Sequence, residues 1–252
     1  MESLRPQSGC GPPADLMQRV RAPELMDRPE ADRAQLWKSL EDLAVVNLLL
    51  GGRSTAVRLV LDLASKVSHR PVKILDVGTG GADIPRRLVV QARKRGVAVS
   101  ITASDIHPAT LQFARAATAR IPEIAVQAAD ALHLPFGDGS YDIVTSYTTL
   151  HHFDRSEAAK VLSEMVRVAR TAVVVTDLSR SAAALAGANL LAATLWRYHP
   201  ITRHDGPISV RAAFTPEELL QLAREVTSGD AIVRRHPLFR LSLVIAKGGA
   251  AA

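Results

Sequence analysis

From Val72 onward, short apolar runs alternate with amphipathic stretches. The runs Val72–Val77, Val99–Ser104, Ile124–Ala128, Tyr141–Ser146 and Ala172–Thr176 predict strands. Helices are predicted between them, at about Ile84–Arg95, Pro108–Ala119 and Arg155–Ala169. Strands and helices alternating at this spacing predict an α/β fold: a doubly wound, mostly parallel sheet with helices on both faces and right-handed crossovers.

Upstream, Leu36, Leu40, Leu43, Asn47 and Leu50 recur at steps of three and four, predicting a helix from near Pro29 that Gly51 and Gly52 end. A second helix is predicted from Ser54 to Val67. Residues 1–22, rich in Pro and Gly, read as a disordered leader, and residues 23–70 as a helical cap ahead of the main domain, 71–252. Beyond Asp177 the pattern predicts an uncharged helix over Ser181–Tyr198, then a polar loop through His204-Asp205-Gly206. Together these make residues 181–214 a candidate lid or substrate segment. Thr215-Pro216-Glu217-Glu218 opens a further helix: Thr215 caps the first turn, Pro216 needs no amide hydrogen there, and Glu218 can reach back. A strand pair, Ile232–Arg235 and Arg240–Ala246, is expected around His236-Pro237.

Composition narrows the function classes. The chain has 252 residues, 47% hydrophobic and 22% charged, ordinary for a globular protein. Its single cysteine, Cys10, excludes an internal disulfide and a cysteine-built metal site. The net charge is +6 and 25 of the 31 basic residues are Arg, scattered among acids rather than clustered. That argues for a solvated basic surface over a nucleic-acid footprint, with an acidic substrate as the other reading. The longest uncharged stretch, Ser181–Trp196, is shorter than the roughly 20 residues that span a bilayer. With no secretory signal visible in residues 1–22, the expectation is a soluble, cytoplasmic protein without a membrane span.

Ile74-Leu75-Asp76-Val77-Gly78-Thr79-Gly80-Gly81-Ala82-Asp83 places a glycine-rich turn between a buried strand and a helix, which lets backbone approach a ligand closely. A dinucleotide fingerprint would put its third glycine where Asp83 stands, and a carboxylate there repels a pyrophosphate. Asp76 at the strand end makes the same point, because carboxylates favour a ligand carrying an ammonium and a sulfonium. Asp105 ends the second strand at the offset of about 20 residues where an acid accepts from ribose hydroxyls. Asp130, after the third strand, is placed to accept from an adenine amino group, with Ile106 and Leu132 on the two faces of the ring.

Asp76–Gly81, Ser104-Asp105-Ile106, Ala129-Asp130-Ala131 and the run from Leu134 to Val144 resemble the ordered motifs of class I, S-adenosylmethionine-dependent methyltransferases. Continued through Leu150-His151-His152-Phe153, the sequence is most similar to the subgroup acting on quinones, phenols and polyketide-type small molecules. The resemblance covers about Val72–Asp177, with an echo in Ala213–Leu220, and departs at Ala82, where a third loop glycine is usual. It implies the Rossmann-like fold of that family, S-adenosylmethionine as cofactor, and cofactor contacts from Asp76, Gly78, Thr79, Gly80, Gly81, Asp105, Ile106, Asp130, Ala131, Leu132 and Ser146.

Methyl transfer asks the protein to align a nucleophile and, for a hydroxyl, to remove its proton. His151 and His152 follow the fourth strand, at the sheet edge where open α/β sheets bind ligands, and are the candidate catalytic residues. A structural role for one of them, holding a loop, is the alternative. His199, His204 and Asp205 form a second polar cluster. The acceptor is expected between the N-terminal helices and the Ser181–Tyr198 helix, with Met26, Trp37, Trp196 and His204 as candidate contacts beside Leu25, Val46, Leu190, Leu191 and Leu195. No metal is expected, since two adjacent histidines on a regular element cannot both face one ion. The leading expectation is O-methylation of a phenolic, quinone-like or polyketide-type small molecule. C- and N-methylation, nucleic-acid methylation, and a non-catalytic cofactor-binding protein remain alternatives, and a homodimer stays open.

Overall fold

Five parallel strands carry the site. In the computed structural model, which describes residues 18–28, 32–49, 52–68 and 71–247, they are β1 (Val72–Val77), β2 (Val99–Asp105), β3 (Ile124–Ala128), β4 (Tyr141–Tyr147) and β5 (Ala169–Leu178). A hairpin of β6 (Ala231–His236) and β7 (Arg240–Ala246) completes one edge. The order is β3-β2-β1-β4-β5-β7-β6, with β7 antiparallel to both neighbours. The order reverses between β1 and β4, so a crevice opens at the C-terminal ends of those two strands.

The helices cover both faces, which is why the inner strands read as nearly unbroken apolar runs. One face is packed by α5 (Arg155–Val168) and α8 (Pro216–Val226), whose Leu162, Met165, Leu219 and Leu222 meet Leu75, Val144 and Val173. On the other, α2 (Gly52–Ala64) and α3 (Asp83–Lys94) bring Val60, Leu61, Leu88 and Val89 onto Ile74, Ile101 and Ile143. Each such side chain contributes about 1.5–3 kcal/mol when fully removed from water. α4 (Pro108–Thr118) follows β2. α1 (Arg33–Leu49), α6 (Ala182–Ala193) and α7 (Pro200–Ala212) lie at the crevice end. No single helix among the described residues is long and apolar enough to cross a membrane.

The predicted capping box on α8 is present: Glu218 N donates to Thr215 Oγ1 (3.2 Å) and Thr215 N to Glu218 Oε2 (2.9 Å). The C-terminal strand pair also forms, around a turn whose Leu238 and Phe239 both have positive φ.

Three expectations change. The uncharged helix stops at Ala193 rather than Tyr198. The expected polar loop through His204-Asp205-Gly206 is the middle of α7, despite Pro207 inside it. Tertiary contacts override the local signal there: Gly206 packs so closely on Trp196 that an added Cβ would meet Cζ3 at 2.9 Å. Asp205, in turn, accepts from Leu25 N (2.8 Å) and Met26 N (3.0 Å). Finally, the part of the leader that the structure describes is anchored rather than disordered. Arg19 donates to the carbonyls of Ala212, His151 and Phe153 and lies over the Phe214 ring, and Val20 N donates to Arg211 O. Composition cannot show that a guanidinium will find three carbonyls far along the chain. Leader residues 1–17 with Cys10, the helix start near Pro29, and the stop at Leu50-Gly51 lie outside the described residues.

Candidate active site

One cavity of about 760 Å³ occupies the crevice, and both ligand-binding halves of the expected site line it. The glycine turn forms its floor. Gly78 (φ +70°) and Gly80 (φ +53°) take a left-handed conformation that glycine adopts without cost. A Cβ on Gly78 would collide with Thr149 Cγ2, so the turn also needs glycine for close approach. Ala82 holds the same left-handed geometry at φ 54° without being glycine, which is how the chain makes the turn where it departs from the family pattern.

Acids ring this floor. Asp76 is buried and accepts from Thr79 Oγ1 (2.7 Å) and Thr145 Oγ1 (3.0 Å). Burial raises its carboxyl to about 7, against those hydrogen bonds and with repulsion from Asp83 and Asp105. Burial likewise raises Asp83 and Asp105. Asp105 ties the turn to β2, accepting from Gly80 N (3.0 Å) and His107 N (3.0 Å). Opposite it, Ile106 is 68% exposed, an apolar side chain left open beside Ala129–Leu132. Asp130 turns its own loop, accepting from Leu132 N at 2.8 Å, and still lines the cavity. Arg240, buried at the start of β7, adds a cation whose one side-chain hydrogen bond among the described residues is to Asn47 Oδ1 (3.3 Å). Its Nε is without a partner among the described residues.

Across the cavity stands a polar wall that begins with the two histidines. They occupy a 3₁₀ turn, Leu150–His152, directly after β4. His151 is buried; its amide donates to Asp177 Oδ2 (3.1 Å) and its Nδ1 to Asp177 Oδ1 (2.6 Å). His152 Nδ1 donates to Asp27 Oδ2 (2.8 Å). The rings stack with centroids 4.4 Å apart, and each Nε2 faces the buried Glu24, at 3.8 and 3.9 Å. Burial lowers the affinity of His152 for a proton, but the hydrogen bond to Asp27 and the charges of Glu24, Asp27 and Asp177 outweigh it and push its pKa to about 9. Burial would raise the Asp177 carboxyl, but the charge and hydrogen bond of His151, the Leu178 amide and the charge of His152 hold it low.

Of the candidate acceptor contacts and their apolar neighbours, Met26, Trp196, Leu190 and Leu191 line the cavity. Four expectations fail. Ser146 points into the sheet, its hydroxyl donating to Val77 O (3.0 Å); successive strand residues face opposite ways, and Tyr147 takes the cavity side. Trp37 turns to α4, with Nε1 on Ala109 O (3.3 Å) and its edge on Phe113, and does not line the cavity. His204 stays outside it, bonded to Asp205 Oδ1 (2.7 Å). And the adjacency of His151 and His152 does not keep them from facing one point, because the 3₁₀ turn and the two carboxylate anchors bring both Nε2 atoms to Glu24. Glu24, Asp27 and Asp177 were missed in the sequence. Asp177 had a signal, an acid at a strand's C-terminal end like Asp76 and Asp105. Glu24 and Asp27 had none, since only the chain's return past α7 brings them to the histidines.

The central part of the chain has known counterparts. Residues 74–172 match the family described as methyltransferase domain. The chain carries a class I methyltransferase domain. Over 106 residues the domain is 35% identical to a demethylmenaquinone methyltransferase of Deinococcus radiodurans, covering 42% of each chain. A second enzyme of that name, from Thermus thermophilus, is 36% identical over 112 residues, covering 44% of this chain and 47% of the relative. The chain thus spans about half the length of the curated relatives it matches. Among solved structures, the magnesium protoporphyrin IX methyltransferase of Synechocystis PCC 6803 with bound S-adenosylmethionine has a TM-score of 0.55 at 12% identity, covering 81% of this chain and 84% of that one. A methyltransferase from Aquifex aeolicus has a TM-score of 0.53 at 17% identity, covering 69% and 81%. At these identities the methyltransferase domain shares its Rossmann-like fold with them.

Proposed function

We propose that this protein transfers a methyl group from S-adenosylmethionine to a small, flat hydroxyaromatic or quinol-type acceptor, through the acceptor's oxygen. The observation that carries the reading is the continuity of one cavity, with the acid-ringed glycine turn at one end and the histidine wall at the other. The cofactor supplies a methyl carbon on a positively charged sulfur, and transfer leaves the C–S electron pair on that sulfur.

The residues of the floor suit that cofactor. Asp76 and its acidic neighbours favour the ammonium and sulfonium, Asp105 suits the ribose hydroxyls, and Ile106 and Leu132 suit the ring. Asp130 suits the adenine amino group, and Arg240 suits the carboxylate. The wall suits an acceptor that must become anionic. A hydroxyl placed against the wall gives up its proton to His151 Nε2, with Asp177 fixing that ring through Nδ1, while His152, held protonated by Asp27 and its acidic neighbours, faces the resulting oxyanion. The apolar sides, from Met26, Leu190, Leu191 and Trp196, exclude water and hold a planar molecule. Methylation at a ring carbon of the same acceptor is a second reading, favoured by the similarity to demethylmenaquinone methyltransferases. It uses the same proton removal.

Thermal unfolding with and without S-adenosylhomocysteine tests the cofactor half. At about 100 times the dissociation constant the ligand should add roughly 2.7 kcal/mol, and Asp105→Ala should abolish that gain. No shift in folded wild-type protein would overturn the reading. Turnover on phenol and quinol panels, with products resolved as O- or C-methylated, then decides the acceptor atom.

A further inference from the structure

The histidine wall has a feature that acid–base work does not require. Asp177 and Asp27 accept from the Nδ1 atoms, so each ring in its neutral form presents a lone pair at Nε2, and a cation binding there takes the place of the Nε2 proton of His152. Both lone pairs face Glu24, itself an acceptor that already takes the Ser209 hydroxyl at 2.7 Å. Three acceptor atoms therefore converge on one small volume. The Nε2-to-carboxylate separations of 3.8 and 3.9 Å are too long for hydrogen bonds. They do fit two ligands of one ion, which at bonds of about 2.1 Å stand up to about 4.2 Å apart. All three atoms lie within 4.8 Å of one another. Charge points the same way: three carboxylates surround two imidazoles, leaving an excess of negative charge that a dication would offset.

We propose that Glu24, His151 and His152 bind a divalent first-row transition cation, zinc or manganese in type, with its open face toward the cavity. Two imidazoles and one carboxylate are a donor set for such ions with positions left for exogenous oxygen. Asp177 and Asp27 supply the outer carboxylates that fix ligand tautomer and ring orientation. Ser209 does the same for Glu24. For the cation's role the inference rests on the proposed methyltransferase reading: it would hold the acceptor's oxygen and favour its anionic form, the hydroxyl proton passing to water in the cavity, with the histidines as ligands in place of the proton-accepting role given above. The site itself stands without that reading.

The full chain, freed of metal by chelation and dialysis, should be titrated with Co²⁺ and followed by visible absorption, then displaced with Zn²⁺. One equivalent of Co²⁺ should give ligand-field bands that Zn²⁺ removes. Glu24→Gln, which keeps its shape and an acceptor for Ser209, and His152→Ala, at the partly exposed ring, should each weaken binding at least tenfold. Asp27→Asn should weaken it by about 10- to 100-fold. Circular dichroism confirms that the variants are folded. Absence of bands with no stabilisation by Co²⁺, Zn²⁺ or Mn²⁺, or equal binding by wild type and both ligand variants, would overturn the proposal. Neither result touches the S-adenosylhomocysteine shift, so a failed metal site and a failed cofactor site give different outcomes.

Discussion

Asp76 shows how much one position can report. Its carboxyl titrates near 7 in the folded, ligand-free protein and near 3.9 in an unfolded chain. Between those values the folded state holds a proton that the unfolded state has released. Stability from this group is therefore complete below about 4 and is lost as pH rises through 7. Asp83 and Asp105 are shifted in the same direction by burial. A ligand bearing an ammonium favours the carboxylate form, so the stabilisation by S-adenosylhomocysteine should grow from pH 5 to 8 and then level off. Melting curves with and without the ligand at four pH values check this. A ligand shift that is flat across the window, or that Asp76→Asn leaves unchanged, would place the ammonium elsewhere. The acids of the floor were legible in the sequence because each sits at a strand end or at the start of the helix after the glycine turn, where position follows from chain order.

At the scale of elements, caps and turns follow local chemistry closely. Thr215 and Glu218 satisfy each other's backbone donors as their spacing predicts. Thr215→Ala should cost about 1 kcal/mol and lower the melting temperature by roughly 2–4 °C, while the S-adenosylhomocysteine shift stays at its wild-type size. A larger loss, or a weaker ligand shift, would mean that α8 supports the cavity directly. α7 is the opposite case. His204-Asp205-Gly206 reads as a loop, and the helix persists because Trp196 packs on Gly206 and Asp205 is held by the amides of Leu25 and Met26. Those partners lie up to 180 residues away in sequence.

At the scale of the whole molecule, Asp205 ties the segment ahead of α1 to α7 at the cavity. It fixes the 3₁₀ turn Leu25–Asp27, and through it Glu24 and Asp27, against the histidine wall. Asp205→Ala leaves two backbone donors unpaired and releases that turn. Turnover should fall at least tenfold with the S-adenosylhomocysteine shift intact, and Asp205→Asn, which retains one acceptor oxygen, should recover part of it. Equal loss in both, or loss of the ligand shift, would assign Asp205 a role in the general fold instead.

The sequence by itself determined the parallel sheet, its strand ends and the glycine turn with its acids. Hydrophobic periodicity and glycine placement are local, and a parallel sheet converts chain order into spatial order at its C-terminal edge. Only the tertiary structure decided which residues face the cavity. Ser146 and Trp37 turn away because side-chain direction depends on strand phase and on neighbouring helices. Glu24 and Asp27 meet His151 and His152 because a segment ahead of the first helix is carried back across the sheet by contacts with α7. Such meetings rest on pairings over more than a hundred residues, which no local pattern records.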